Sequence, residues 1–202
     1  MAFEQYIKHK KAVVLGLDNV LYPKKDYLLQ VYYLFAEFIS YSEQIDAKEI
    51  LLYMTSEYTA NGEVNLFEKT ANKFNIPLKY LSNFILLHQT ARLPLKLLLY
   101  QQMLALLQEL VVERVAIFLL VDGKPEEQLN KIKQLEWNGL EQYLKVYFTE
   151  EFEAKPSTKS LNFIINEHQL NKDDILMVGL EKEDEQFSAS AGIDFLSIAN
   201  LL

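Results

Sequence analysis

The sequence contains no cysteine. That excludes disulfides, zinc–thiolate centres, iron–sulfur clusters and cysteine nucleophiles together. Basic residues are in deficit, with 20 Lys and Arg against 28 Asp and Glu and a net charge of −8. An acidic chain offers no electrostatic footprint to a phosphate backbone, so no nucleic-acid partner is expected. Long apolar runs are also missing. The longest, residues 115–121, has seven members, whereas a membrane-spanning helix needs roughly 20, so no membrane partner is expected. Residues 1–11 are polar and basic, without an apolar run of signal-peptide length, and a cytoplasmic location is expected. The three histidines, His9, His88 and His168, are isolated in the sequence and form no pair with metal-ligand spacing. Of the six glycines, Gly16, Gly123, Gly179 and Gly192 sit at or just after short apolar runs. Gly62 and Gly139 read as turn residues.

What is present suffices for a globular core. Half of the 202 residues are hydrophobic and 24% are charged, which is the composition of a folded domain rather than a disordered chain. The length fits one large domain, or one domain with a smaller insertion. Residues 11–17, 115–121 and 175–179 are apolar without alternation, as strands of a parallel sheet buried on both faces are. Residues 145–149 and 193–198 are shorter candidates. Between these runs lie helical patterns. Pro125 suits a first helical position, where its missing N–H has no partner to lose. Glu126 and Glu127 complement the positive end of that helix, and Lys131 and Lys133 its negative end. Pro156 is expected to open a similar helix carrying Leu161, Ile164 and Ile165. This alternation predicts an α/β fold, a Rossmann-like parallel sheet with helices on both faces.

The stretch from Pro23 to His88 has no strand pattern. Leu28, Val31, Tyr32, Phe35 and Ile39 share one helix face, and residues 50–58 and 66–74 read as further helices. The prediction is an all-helical insertion at 23–89, set into a core made of 1–22 and 90–202. The aromatic residues of the insertion (Tyr27, Tyr32, Tyr33, Phe35, Phe38, Tyr41, Tyr53 and Tyr58) are read as helix packing. Residues 95–112 are expected to form one long helix, apolar on most sides and therefore buried. No repeat or low-complexity segment is present.

In an open parallel sheet, ligands bind beyond the carboxyl ends of the strands, where the strand order switches. Asp18 and Asn19 follow the first strand, Asp122, Gly123 and Lys124 the next, and Leu180, Glu181 and Asp184 the run at 175–179. Lys155 precedes the Pro156 helix. Acids and a lysine converging on one sheet edge can bind a phosphate and a cation.

These residues carry a resemblance. Leu15-Gly16-Leu17-Asp18-Asn19-Val20-Leu21-Tyr22-Pro23 resembles the first motif of the haloacid dehalogenase superfamily. Its Leu-Tyr-Pro continuation is that of helical-cap members similar to nucleotidases and phosphoglycolate phosphatases. Val121-Asp122-Gly123-Lys124-Pro125 resembles the second motif, Lys155-Pro156 the third, and Val178-Gly179-Leu180-Glu181-Lys182-Glu183-Asp184 the fourth. Ala191-Gly192-Ile193 resembles the segment that begins the last core strand. The resemblance implies a phosphatase fold whose cap is the helical insertion. It also implies magnesium and an aspartyl-phosphate intermediate in members that work.

At three positions the chain departs from the pattern. The family's nucleophilic aspartate is here Gly16, which has no nucleophilic atom. The second-motif hydroxyl is Val121, and a magnesium-ligating aspartate of the fourth motif is Leu180. Magnesium takes hard carboxylate oxygens, and without it a transferring phosphoryl group loses its main charge stabiliser. What remains by resemblance is Asp18 at the acid/base position, Lys155 at the phosphate clamp and Asp184 at the last acidic position. Each also has a plain structural reading. Asp18 can cap a turn, Lys155 can be a surface lysine, and Asp184 can belong to an acidic first helical turn. Glu181, next to the lost ligand, is a substitute metal ligand by position. With Lys155 and Gly123, Asp122 lines the expected anion site, although its charge opposes an anion.

Three functional readings follow. The first is a catalytically inactive haloacid-dehalogenase-like protein acting in binding or regulation, with a residual anion site for a small phosphorylated molecule and no cofactor. The second is a divergent hydrolase of small phosphate esters, in which Asp18 activates water and Glu181 or Asp184 holds magnesium. The third is a protein–protein interaction module.

Overall fold

The computed structural model describes residues 3–153 and 155–201. The elements run, in chain order, α1 (Glu4–Ile7), β1 (Ala12–Leu15), α2 (Lys24–Glu43), α3 (Ala47–Asn61), α4 (Leu66–Phe74), α5 (Leu81–Thr90), β2 (Leu97–Leu98), α6 (Gln101–Val112), β3 (Ala116–Val121), α7 (Pro125–Gln134), β4 (Leu135–Glu136), β5 (Leu144–Phe148), α8 (Lys159–Glu167), β6 (Ile175–Gly179), α9 (Lys182–Ala191) and β7 (Asp194–Ser197). The chain divides into two compact units. One comprises Met1–Lys24, Leu97–Gln128 and Leu135–Leu202, and the other Lys25–Lys96 and Leu129–Gln134.

The first unit is built on a five-stranded sheet in the order β5-β3-β1-β6-β7, and every pairing is parallel. β1 lies at the centre because it is buried along its whole length, as an apolar strand without alternation must be. Val14 pairs in register with Phe118 and Met177, so these side chains share one face. That face packs on Leu161, Ile164 and Ile165 of α8 and on Phe187 and Ala191 of α9. Val13, Ile117 and Leu176 are in register on the opposite face and equally buried, and α6 packs against β3. A parallel sheet with helices, as expected, is what the chain forms.

Two local expectations are corrected. Residues 95–112 are not one helix. Leu97 and Leu98 form a short parallel pairing with Leu135 and Glu136, and the N–H of Tyr100 donates to the Leu21 carbonyl. These tertiary partners take the backbone that helical spacing alone would assign to α6. α6 is also buried on one face only, through Met103, Leu106, Leu107 and Leu110, while Val112 is 72% exposed. Pro156 does not open α8. It lies in a turn after a cis Lys155–Pro156 peptide bond, and the helix begins at Lys159.

The second unit contains helices and no strand among its described residues. The apolar face of α2 is its spine. Tyr27, Leu28, Val31, Tyr32, Phe35 and Ile39 have no solvent exposure. Phe84 of α5 stacks on Tyr32 and meets Phe35 edge-on, with ring centroids 6.3 and 5.0 Å away. These aromatics are packing residues. Tyr33 and Tyr41, off that face, are exposed. Within this unit Leu93 and Leu95 donate backbone N–H groups to the side chains of Gln134 and Gln30.

Ile164 is fully buried between α8 and the sheet. Ile164→Ala is expected to lower unfolding stability by about 2–5 kcal/mol, measured by urea denaturation. A loss below about 0.5 kcal/mol, the range of an uninvolved surface site, would contradict this packing.

Candidate functional site

The carboxyl ends of β1, β3 and β6 are neighbours at the centre of the sheet, and the loops leaving them carry most of the expected site residues. After β1, the Gly16 N–H extends the ladder to the Val178 carbonyl at 3.3 Å. The chain then turns on Asn19, which takes a left-handed conformation at φ 59° that a short polar side chain tolerates. The Asn19 side chain accepts the Lys24 N–H at 3.0 Å, and its own N–H donates to the Tyr22 carbonyl. Asp18 accepts a 2.6 Å hydrogen bond from the hydroxyl of Tyr22, a wholly buried residue. The loop therefore holds Asp18 in a local turn. Tyr22 is a site residue that the sequence reading missed, although its spacing of four from Asp18 was visible.

Asp122 and Gly123 follow β3, and Gly123 turns at φ 97°, a conformation glycine adopts without a steric penalty. Lys155, in the turn before α8, has a largely buried side chain. Its ammonium lies 2.6 Å from Asp122 Oδ2 and 2.6 Å from Asp184 Oδ1, and 5.3 Å from the centroid of the Phe187 ring. Burial acts to lower the Lys155 pKa, but the attraction of Asp122 and the hydrogen bonds to both carboxylates outweigh it, so the pKa is raised. The other oxygen of Asp184 accepts the backbone N–H groups of Leu180 and Glu181 at 3.1 and 3.2 Å. Glu181 is the N-cap of α9, and with Asp184 it forms a reciprocal capping box, which satisfies backbone donors that the first turn would otherwise leave unpaired.

Gly179 makes this arrangement possible. A Cβ there would lie 2.7 Å from the Cβ and Oδ2 of Asp184, so the end of β6 and the first turn of α9 meet without room for a side chain. At Gly16 a Cβ would meet Val20 Cγ2 at 3.0 Å. Val121 is buried, and Leu180 is 39% exposed.

Lys155, Asp122 and Asp184 form one ion-paired group, with Glu181 beside it as a helix cap. Asp18 stands at the end of β1 and is bonded to Tyr22. Gly123 contributes the turn. His168, isolated in the sequence, belongs to a separate cluster: its Nε2 lies 2.8 Å from the Tyr147 hydroxyl and its ring stacks on Phe118.

The family model for haloacid dehalogenase-like hydrolases matches residues 13–198. The chain belongs to the haloacid dehalogenase-like hydrolase family. Solved structures of similar fold include a hydrolase from Streptococcus pneumoniae TIGR4 (16% identity, 96% of each chain covered, TM-score 0.56). A HAD-superfamily hydrolase from Ehrlichia chaffeensis is similar over 94% of this chain and 86% of that one (12% identity, TM-score 0.54). A Thermotoga maritima protein assigned to the β-phosphoglucomutases matches over 91% of this chain and 82% of that one, with 17% identity and a TM-score of 0.65. No curated protein matches. No helix among the described residues is long and apolar enough to cross a membrane.

Within this haloacid dehalogenase-like edge the donor set does not fit magnesium. Gly16 and Leu180, which by the resemblance stand at carboxylate positions, supply no carboxylate after β1 and β6, and both Asp184 oxygens already accept hydrogen bonds. Among the described residues no group of three or more His, Asp or Glu could hold a metal ion.

Two outcomes follow. Gly179→Ala forces Asp184 away from the end of β6 and is expected to cost about 1–3 kcal/mol as overpacking. Unchanged stability in thermal unfolding would refute the close approach. The raised Lys155 pKa gives a pH dependence of definite sign. Its stabilisation is complete below the unfolded lysine value of about 10.4 and is lost as pH rises through the folded value. Wild-type stability is expected to fall more steeply than that of Lys155→Met above roughly pH 10.5. Parallel alkaline curves would remove Lys155 from the account.

Proposed function

We propose that this chain is a haloacid dehalogenase-like protein that does not hydrolyse phosphate esters and instead acts in binding or regulation. The observation that carries the reading is Gly16 at the end of β1. The central strand delivers no carboxylate to the point where the fold presents its first-motif group, so no aspartyl-phosphate can form there. The commitments around it point the same way. Asp184 and Lys155 satisfy each other, Glu181 caps α9, and Asp18 accepts the Tyr22 hydroxyl.

The third reading, a protein–protein interaction module, is supported by the helical unit. The short turn before α5 exposes Leu78, and α5 itself exposes Leu81, Ile85 and Leu86, at 67, 37, 42 and 53%. No residue of α5 is buried, and no charged side chain occurs from Leu81 to Thr90. Contiguous exposed apolar surface of this kind serves interaction more often than solvation. The divergent-hydrolase alternative needs Asp18 to activate water and Asp184 or Glu181 to bind magnesium, and each would first have to leave the partner named above.

Hydrolysis of a panel of phosphate monoesters, with magnesium and with Asp18→Asn in parallel, tests the proposal. The expected outcome is no turnover above the variant. Magnesium-dependent turnover that Asp18→Asn abolishes would overturn the non-hydrolysing reading.

A further inference from the structure

The three members of the Lys155 group are not equivalent. Asp184 is fixed from several sides. It lies against Gly179, accepts two backbone N–H groups, closes the capping box of α9 and binds the ammonium. Its side chain is 13% exposed, close to the 12% of Lys155. Asp122 is 52% exposed and sits at the start of the loop that turns on Gly123. It binds the same ammonium at the same 2.6 Å, from the solvent side. Two carboxylates on one ammonium leave the group with an excess negative charge.

A largely buried lysine at the central carboxyl edge of a parallel sheet is where such folds hold an external anion. Asp184 alone would neutralise Lys155. Asp122 adds a second anion that the charge balance of the fold does not require. Carboxylate and phosphate oxygens compete for ammonium donors through the same charge-assisted hydrogen bonds.

We propose that Asp122 is an intramolecular anion that occupies the exposed side of the Lys155 ammonium and closes a latent site for a tetrahedral oxyanion of the phosphate class. With Asp122 in place, a phosphate meets a locally negative group and an ammonium that already donates to two carboxylates. With Asp122 removed, Lys155 and Asp184 remain as a neutral pair with the ammonium open towards solvent. The proposal builds on the non-hydrolysing reading, because it treats the edge as a binding site without turnover.

The test is titration of inorganic phosphate into the full chain, read by isothermal calorimetry and by the shift in unfolding temperature. Wild type is expected to show no saturable binding. Asp122→Asn, nearly isosteric, is expected to bind phosphate at least tenfold more tightly than wild type with a saturable rise in unfolding temperature. Lys155→Gln placed in the Asp122→Asn background is expected to remove that binding. Asp122→Ser serves as a second opening variant should the asparagine variant not fold. The proposal is overturned if wild type and the opened variant bind phosphate equally, if neither binds, or if binding survives the loss of Lys155. Phosphate-ester turnover by wild type would instead defeat the non-hydrolysing reading, whatever the binding measurements show.

Discussion

The sheet edge depends on the ammonium of Lys155 between two carboxylates. Lys155 stands ahead of α8, Asp122 follows β3, and Asp184 lies in the first turn of α9. One cation therefore ties three segments that are distant in sequence. Burying an ammonium is costly unless it is paired and hydrogen-bonded, and here pairing from both sides, with the Phe187 ring below, meets that condition. Two of the three ammonium donors are thereby committed to internal carboxylates.

The close approach at Gly179 and the capping box of α9 serve the same interaction. Without a side chain at Gly179, Asp184 can lie against the end of β6 and present one oxygen to backbone donors and the other to Lys155. Glu181 has its side chain turned to the helix terminus by the same box. Acidic residues that by position alone suggest a cation site are thus consumed in ending a strand, starting a helix and neutralising a lysine. The fold of a hydrolase family is retained while its edge is stabilised from within, as expected when function lies in a site carried by a fold rather than in the fold itself.

Much of the core was legible because its strands are apolar without interruption. Residues 175–179 and 116–121 are strands within a residue of the expectation, and the α2 face from Leu28 to Ile39 is buried as its spacing requires. The long helix expected over 95–112 was not, since the short β2–β4 pairing and the Tyr100–Leu21 hydrogen bond draw on residues far along the chain. Pro156 misled for a similar reason. Proline at a first helical turn and proline in a preceding turn read alike until the backbone is seen.

The sequence by itself determined the parallel α/β core, the helical insertion and the absence of a carboxylate at Gly16 and Leu180, because apolar periodicity and residue identity are properties of the chain. Only the tertiary structure decided that Asp122 and Asp184 both turn onto Lys155, that Glu181 is a cap, and that Asp18 is held by Tyr22. A carboxylate has the same formal charge whether it serves a ligand, a helix or a lysine. Its role is set by which donor lies within about 3 Å, and that distance exists only after distant segments have packed together.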